Sequence, residues 1–192
     1  MKLSSTRELD AMRPVLNDKN APGPDPVYWV FGEISDSRWV NITIITSGLY
    51  DGEYPKTFVH YHGTEDPETY HLIEGEGVLV MQKKHVEGGV HVPEIVDEVY
   101  LIKAKAGDEI LITPEWGHSW SNVGNGPLIS FDDWRAGHTP ADYEPIKRLQ
   151  GLAYYLVEEG GAPSPVVNPN YKNLPEPKWV TPEEFRKAQE QF

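Results

Sequence analysis

A chain of 192 residues, 39% apolar and 11% aromatic, is long enough to bury one core and short for two, which excludes a wholly disordered polymer. Its 30 acidic against 17 basic residues give a formal net charge of −13, and with no Lys/Arg cluster this argues against a nucleic-acid or anionic-membrane surface. Cysteine is absent, so disulfides, thiolate nucleophiles and Cys-type zinc sites are excluded.

The N-terminus, MKLSSTRELD, reads neither as a signal peptide nor as an apolar span, so a cytoplasmic protein is expected. Met1 to Asp18 is polar, with Leu9, Met12, Val15 and Leu16 at roughly helical spacing, and predicts a short helix or turn. NAPGPDP, residues 20–26, is a linker. Val27 to Glu33 and Trp39 to Ser47 are dense in aromatic and β-branched residues and predict strands. Short strands between Gly, Pro and Asp turns continue, the pattern of an all-β sandwich or barrel. Gly88-Gly89 turns a hairpin from Lys83 to Pro93, and Glu94 to Lys105 returns as a strand. Leu128 to Trp134 and Tyr154 to Glu158 predict further strands, and Pro163 to Pro177 an extended surface segment. The tail TPEEFRKAQEQF predicts a helix, with Thr181 as N-cap, Pro182 at the first position and Glu184 completing a capping box.

Chemistry concentrates in HYHGTEDPETYHLIEGEGVLVMQ, residues 60–82. His60 and His62 are two apart, so on a strand both side chains leave one face and reach one ion. Glu68 follows after a polar break, with Tyr70 on its face. His118, in GDEILITPEWGHSWSN, is the candidate fourth ligand. His71 points away from the face of Glu68, and His85 and His91 flank the hairpin tip, so these three are left outside the site.

The spacing His-x-His, five residues, Glu, six residues, Gly resembles the first cupin motif. Gly107-Asp108, a short strand, Pro114, Gly117-His118 and Asn122 resemble the second. The resemblance implies a cupin double-stranded β-helix (jelly-roll barrel) with a short N-terminal helix or turn and a short C-terminal helix. It would be a single domain over 1–192, with a core at about 27–160, an N-terminal arm 1–26 and a C-terminal extension 161–192. The order DPVYWVF, KTFVHYH, ETYHLIEGEGVLVMQ, TPEWGH, Asn122 to Pro127, then AGH, resembles more narrowly the cupin-type glucose-6-phosphate isomerases found mainly in archaea.

That resemblance implies His60, His62, Glu68 and His118 as metal ligands and Glu68 and Tyr70 as catalytic residues. It implies Thr43 and Thr57 as phosphate-contacting hydroxyls with Tyr28 close by, and His138 in the sugar pocket with Tyr70. Three imidazoles and a carboxylate suit one divalent transition metal per chain; Fe²⁺ is the first expectation, and Mn²⁺, Ni²⁺ and Zn²⁺ fit the same donors. The implied reaction interconverts glucose 6-phosphate and fructose 6-phosphate, in glycolysis and gluconeogenesis. An Fe²⁺-dependent cupin oxygenase and a non-catalytic sugar-binding cupin are the alternatives. A homodimer is implied too, with VYWVFGE as a partner surface. Three positions depart from the family pattern: Val59 stands where glycine is usual, Glu115 replaces an aromatic residue, and Trp134 replaces a tyrosine.

Overall fold

The computed structural model describes residues 1–34 and 38–190. Its strands run β1 (Lys2–Arg7), β2 (Tyr28–Gly32), β3 (Asn41–Ile45), β4 (Glu68–Glu74), β5 (Glu76–Glu87), β6 (Val90–Lys105), β7 (Glu109–Ile112), β8 (Trp116–Asn122), β9 (Leu128–Asp132), β10 (Tyr154–Glu159), β11 (Ala162–Val167) and β12 (Lys178–Val180). The helices are α1 (Leu9–Met12), α2 (Pro140–Arg148) and α3 (Pro182–Gln189).

Among the described residues, one sheet has the order β1-β2-β3-β9-β4-β7 and a second β12-β6-β5-β8, with β10 and β11 as a separate hairpin. Apart from the parallel pair β12 and β6, the pairings are antiparallel. The two large sheets form a jelly-roll barrel, the cupin double-stranded β-helix, which buries one face of each sheet. Leu72, Leu79, Met81, Ile102 and Trp120 fill its interior. Glycine is required where sheets and aromatic rings approach most closely. A Cβ on Gly77 would stand 2.4 Å from Leu128 and 2.9 Å from the Trp120 ring, and one on Gly117 would meet the Tyr61 ring at 2.6 Å.

The chain departs from its sequence reading in four places. Lys2–Arg7 is a strand on β2, and the helix is confined to Leu9–Met12 with a 3-10 turn at Arg13–Val15, because the apolar spacing that predicts a helix begins only at Leu9. The His-x-His segment is extended but is no regular strand; it meets β8 through isolated bridges, Lys56 to Ser121 and His60 to His118. The segment after β9 forms α2, opened by a capping box between Thr139 and Asp142. Residues 162–167 pair with β10 despite Pro163 and Pro165, since this two-stranded sheet leaves one edge of β11 unpaired. The C-terminal helix forms with the expected Thr181 and Glu184 box; residues 191 and 192 of that prediction lie outside the described residues.

Candidate active site

Lys56 to His62 runs beside β8, and the bridge between His60 and His118 brings the two sequence motifs together: His118 N donates to His60 O at 3.1 Å. Glu68, first residue of β4, enters from the opposite sheet. His60, His62, Glu68 and His118 are all buried, and one donor atom from each lies within 4.8 Å of the others. His62 is positioned by a stack on Trp134, ring centroids 3.9 Å apart and planes 14° from parallel.

The backbone sets the protonation of two rings. His60 Nδ1 lies 3.2 Å from Phe58 O and His118 Nδ1 lies 3.4 Å from Trp116 O. A carbonyl only accepts, so each Nδ1 carries the proton and each Nε2 presents a lone pair to the centre. Burial, reinforced by the neighbouring His118, holds the His60 pKa well below its ordinary value and keeps the ring neutral. Burial alone would raise the Glu68 carboxyl, but the adjoining His118 and His62 rings outweigh it and hold its pKa below the usual carboxylate range.

These groups are unsatisfied by protein. His60 Nε2, both nitrogens of His62, Glu68 Oε2 and His118 Nε2 are buried without a hydrogen-bond partner. Glu68 Oε2 nevertheless sits 3.2 Å from His62 Nε2 and 3.3 Å from His118 Nε2. A buried carboxylate and an imidazole nitrogen this close share a cation, a proton or a metal ion, and four such donors converging on one point fit a divalent transition ion.

Beside the donors is a cavity of about 320 Å³ that reaches His60 and Glu68. Tyr28, Thr43, Thr57, Tyr70 and His138 all line it, so the fold gathers every residue singled out for substrate. Two wider grooves of about 660 and 830 Å³ lie elsewhere along the chain, but neither contains any of the four donors. Tyr70 is buried, and burial, then the charges of Glu68 and Asp132, keep its hydroxyl protonated far above the ordinary range. His138 is exposed at the rim, yet its ring centroid is 4.2 Å from that of His60; desolvation there lowers its pKa to about 4. His71 lies on the outer sheet face, stacked with Trp39 at 5.4 Å, apart from the donors as expected.

Of the three departures, only Trp134 lines the cavity; Val59 is buried in the core and Glu115 is exposed. The sequence reading missed Arg7, Phe58, Asp132 and Tyr143, which also line it. Thr139-Pro140 with Asp142 is a helix-start signal that announces α2 and hence Tyr143. Nothing local announces Arg7, because KLSSTR lacks apolar alternation.

A jelly-roll barrel with three histidines and a glutamate converging beside its interior cavity is a cupin whose buried donor group could hold a metal ion. The sequence profile of the glucose-6-phosphate isomerase (GPI) family matches residues 32–173, and the chain belongs to that family. It is 28% identical over 181 residues to the glucose-6-phosphate isomerase of Pyrococcus furiosus, covering 88% of each chain. Among solved structures, oxalate oxidase in complex with the substrate analogue glycolate overlaps 55% of this chain at a TM-score of 0.37 and 14% identity. The Drosophila melanogaster CENP-C cupin domain overlaps 59% of this chain and 74% of its own, at 0.35 and 13%. The chain spans only 40% of the length of that oxalate oxidase.

Proposed function

We propose that the protein is a metal-dependent aldose-ketose isomerase interconverting glucose 6-phosphate and fructose 6-phosphate. Family membership over residues 32–173 carries this reading, and the four-donor cluster beside a sugar-sized cavity agrees with it. His60, His62, Glu68 and His118 would hold one divalent ion, with Fe²⁺ the first candidate. When bound, such an ion supplies Lewis-acid polarisation of the sugar's carbonyl end.

The chain's own groups do the rest. Glu68 moves the proton between C1 and C2 through a cis-enediol, loosening its hold at the centre to do so. Tyr70, kept protonated, donates a hydrogen bond to a sugar oxygen. His138 meets the sugar at the rim, and the buried indole of Trp134 helps exclude water from the reacting carbons.

The protein acts at the hexose-phosphate step of glycolysis and gluconeogenesis, in the cytoplasm, as a homodimer. The outer face of the six-stranded sheet supports the dimer: Trp29 and Phe31 of β2 lie beside Ile44, Ile42 and Phe131, all of them half-buried apolar side chains.

A coupled assay for glucose 6-phosphate formation from fructose 6-phosphate tests the reading. Turnover should be present as purified, abolished by a chelator and restored by a divalent transition metal. Oxygen uptake without isomerisation would instead place the protein among oxygenases.

A further inference from the structure

With a net charge of −13, the protein as a whole repels a phosphate dianion, so a site that binds one needs a cation of its own. Two guanidinium side chains line the cavity, Arg135 after β9 and Arg7 on the N-terminal strand. Arg7, last residue of β1, is directly opposite Tyr28 in the register with β2, so the two side chains leave the same face of the sheet. Its Nε donates to the Tyr28 hydroxyl oxygen at 3.2 Å, and its Cζ stands 5.2 Å from the Phe58 ring centroid and 5.8 Å from that of Tyr28. Planar guanidinium on an aromatic shelf is held without losing its outer donors.

Two further observations show what this cation faces. Among the described residues Arg7 takes part in no ion pair, whereas Arg13 and Arg38 each pair with a carboxylate. The hydroxyls around it are also turned toward donation. Tyr28 Oη accepts from both Arg7 Nε and Phe58 N, the latter at 3.2 Å, which leaves its proton to point elsewhere. Thr57 Oγ1 accepts from Trp120 N at 3.0 Å, stands 3.4 Å from Ser119 Oγ and lines the same cavity with Ser5 of β1; Ser4 lines it too but gives its proton to Lys2 O. A half-buried cation without a carboxylate, ringed by hydroxyl donors, is chemistry for an anion with several acceptor oxygens.

We propose that Arg7 is the charge that anchors the substrate's phosphate, working with the Tyr28 and Thr57 hydroxyls. The anchor sets the far end of the sugar phosphate on β1, so that its C1 and C2 reach His60 and Glu68. This rests on the sugar-phosphate reading of the cavity. It makes an edge strand outside the matched family region, residues 32–173, a determinant of phosphate recognition.

The test uses metal-loaded protein and two ligands, inorganic phosphate by calorimetry and fructose 6-phosphate by turnover. Arg7→Gln retains a neutral donor for Tyr28 and much of the packing on Phe58, so it removes the charge with little else. It should weaken phosphate binding and raise KM by about 10- to 100-fold, the scale of a charge-assisted hydrogen bond, with kcat changed far less. Arg7→Lys should recover part of the loss, since it restores charge without the fork. Metal content and thermal midpoint should match wild type. Unchanged phosphate affinity and KM in Arg7→Gln overturn the anchor while leaving the isomerase intact. Phosphate binding that depends on Arg7 in a protein that does not isomerise fructose 6-phosphate upholds the anchor and rejects the isomerase.

Discussion

His60 and His118 lie 58 positions apart in sequence and face each other across a single antiparallel bridge, ring centroids 4.5 Å apart, each ring turned by a backbone carbonyl so that its Nε2 looks inward. The bridge makes one donor cluster of two motifs. The carbonyls of Phe58 and Trp116 fix the tautomers before any ion arrives, so the ligand geometry is set by main-chain contacts that metal binding need not create.

The purified protein should therefore carry close to one divalent transition metal per chain, and His60→Ala or His118→Ala should lose most of it. Because an ion that binds only the folded chain stabilises it, chelation should lower the melting temperature of wild type and leave those variants almost unmoved. Elemental analysis with calorimetric melts checks both. Full metal content in the double variant rejects this ligand set.

Asp132 gives a pH-dependent outcome. It accepts from Asn41 Nδ2 at 2.6 Å and Trp134 N at 3.1 Å, yet burial, and then the Glu68 charge, raise its pKa to about 7. In the unfolded chain the value is about 4. The folded state therefore binds the proton more tightly: the contribution of Asp132 to stability is full below pH 4 and is lost as pH rises through 7. Asp132→Asn removes that loss, so its stability relative to wild type should improve between pH 4 and 8 by on the order of 4 kcal/mol. Urea unfolding of chelated protein at both ends of that range measures it. An equal difference at the two pH values would show that Asp132 does not titrate there.

A buried ion pair ties the N-terminal arm to the barrel. Lys56 Nζ pairs with Glu53 Oε1 and donates to Val15 O at 2.7 Å, while Asn17 N donates to Glu53 Oε2 at 2.8 Å. Both side chains are almost wholly buried, so removing one partner strands the other's charge. Lys56→Ala or Glu53→Ala should each cost about 3–5 kcal/mol, and Glu53→Leu with Lys56→Met should cost less than either. Thermal melts of the three variants decide; a double variant as costly as the sum would mean that the pair is not coupled.

The four-donor cluster was legible because motif spacing is local, and His60 and His62 needed only an extended backbone to share a face. The strands were legible for a similar reason, since alternation over Asn41 to Ile45 survives whichever face is inward. Which face that is was not legible: Thr43 points to the cavity while Ile42 and Ile44 point out, an apolar exterior that alternation alone does not reveal. Arg7 escaped because its role comes from long-range register with Tyr28, which no nearby residue encodes.

The last outcome concerns Glu68, whose carboxylate is assigned both to the metal cluster and to proton transfer. Glu68→Gln keeps the shape and one oxygen donor while removing the base, so metal should be retained in part. Turnover should fall by about 10²–10⁴-fold, the usual size of general acid–base assistance. KM should change less, because the lost interaction acts mainly in the transition state. Wild type turning over in D₂O gives an independent reading: transfer by a carboxylate through an enediol exchanges the migrating hydrogen with solvent, and a direct shift from carbon to carbon does not. Deuterium in the product together with the drop in kcat establishes Glu68 as the base. A variant that turns over near the wild-type rate, with no deuterium incorporated by wild type, leaves Glu68 as a ligand alone.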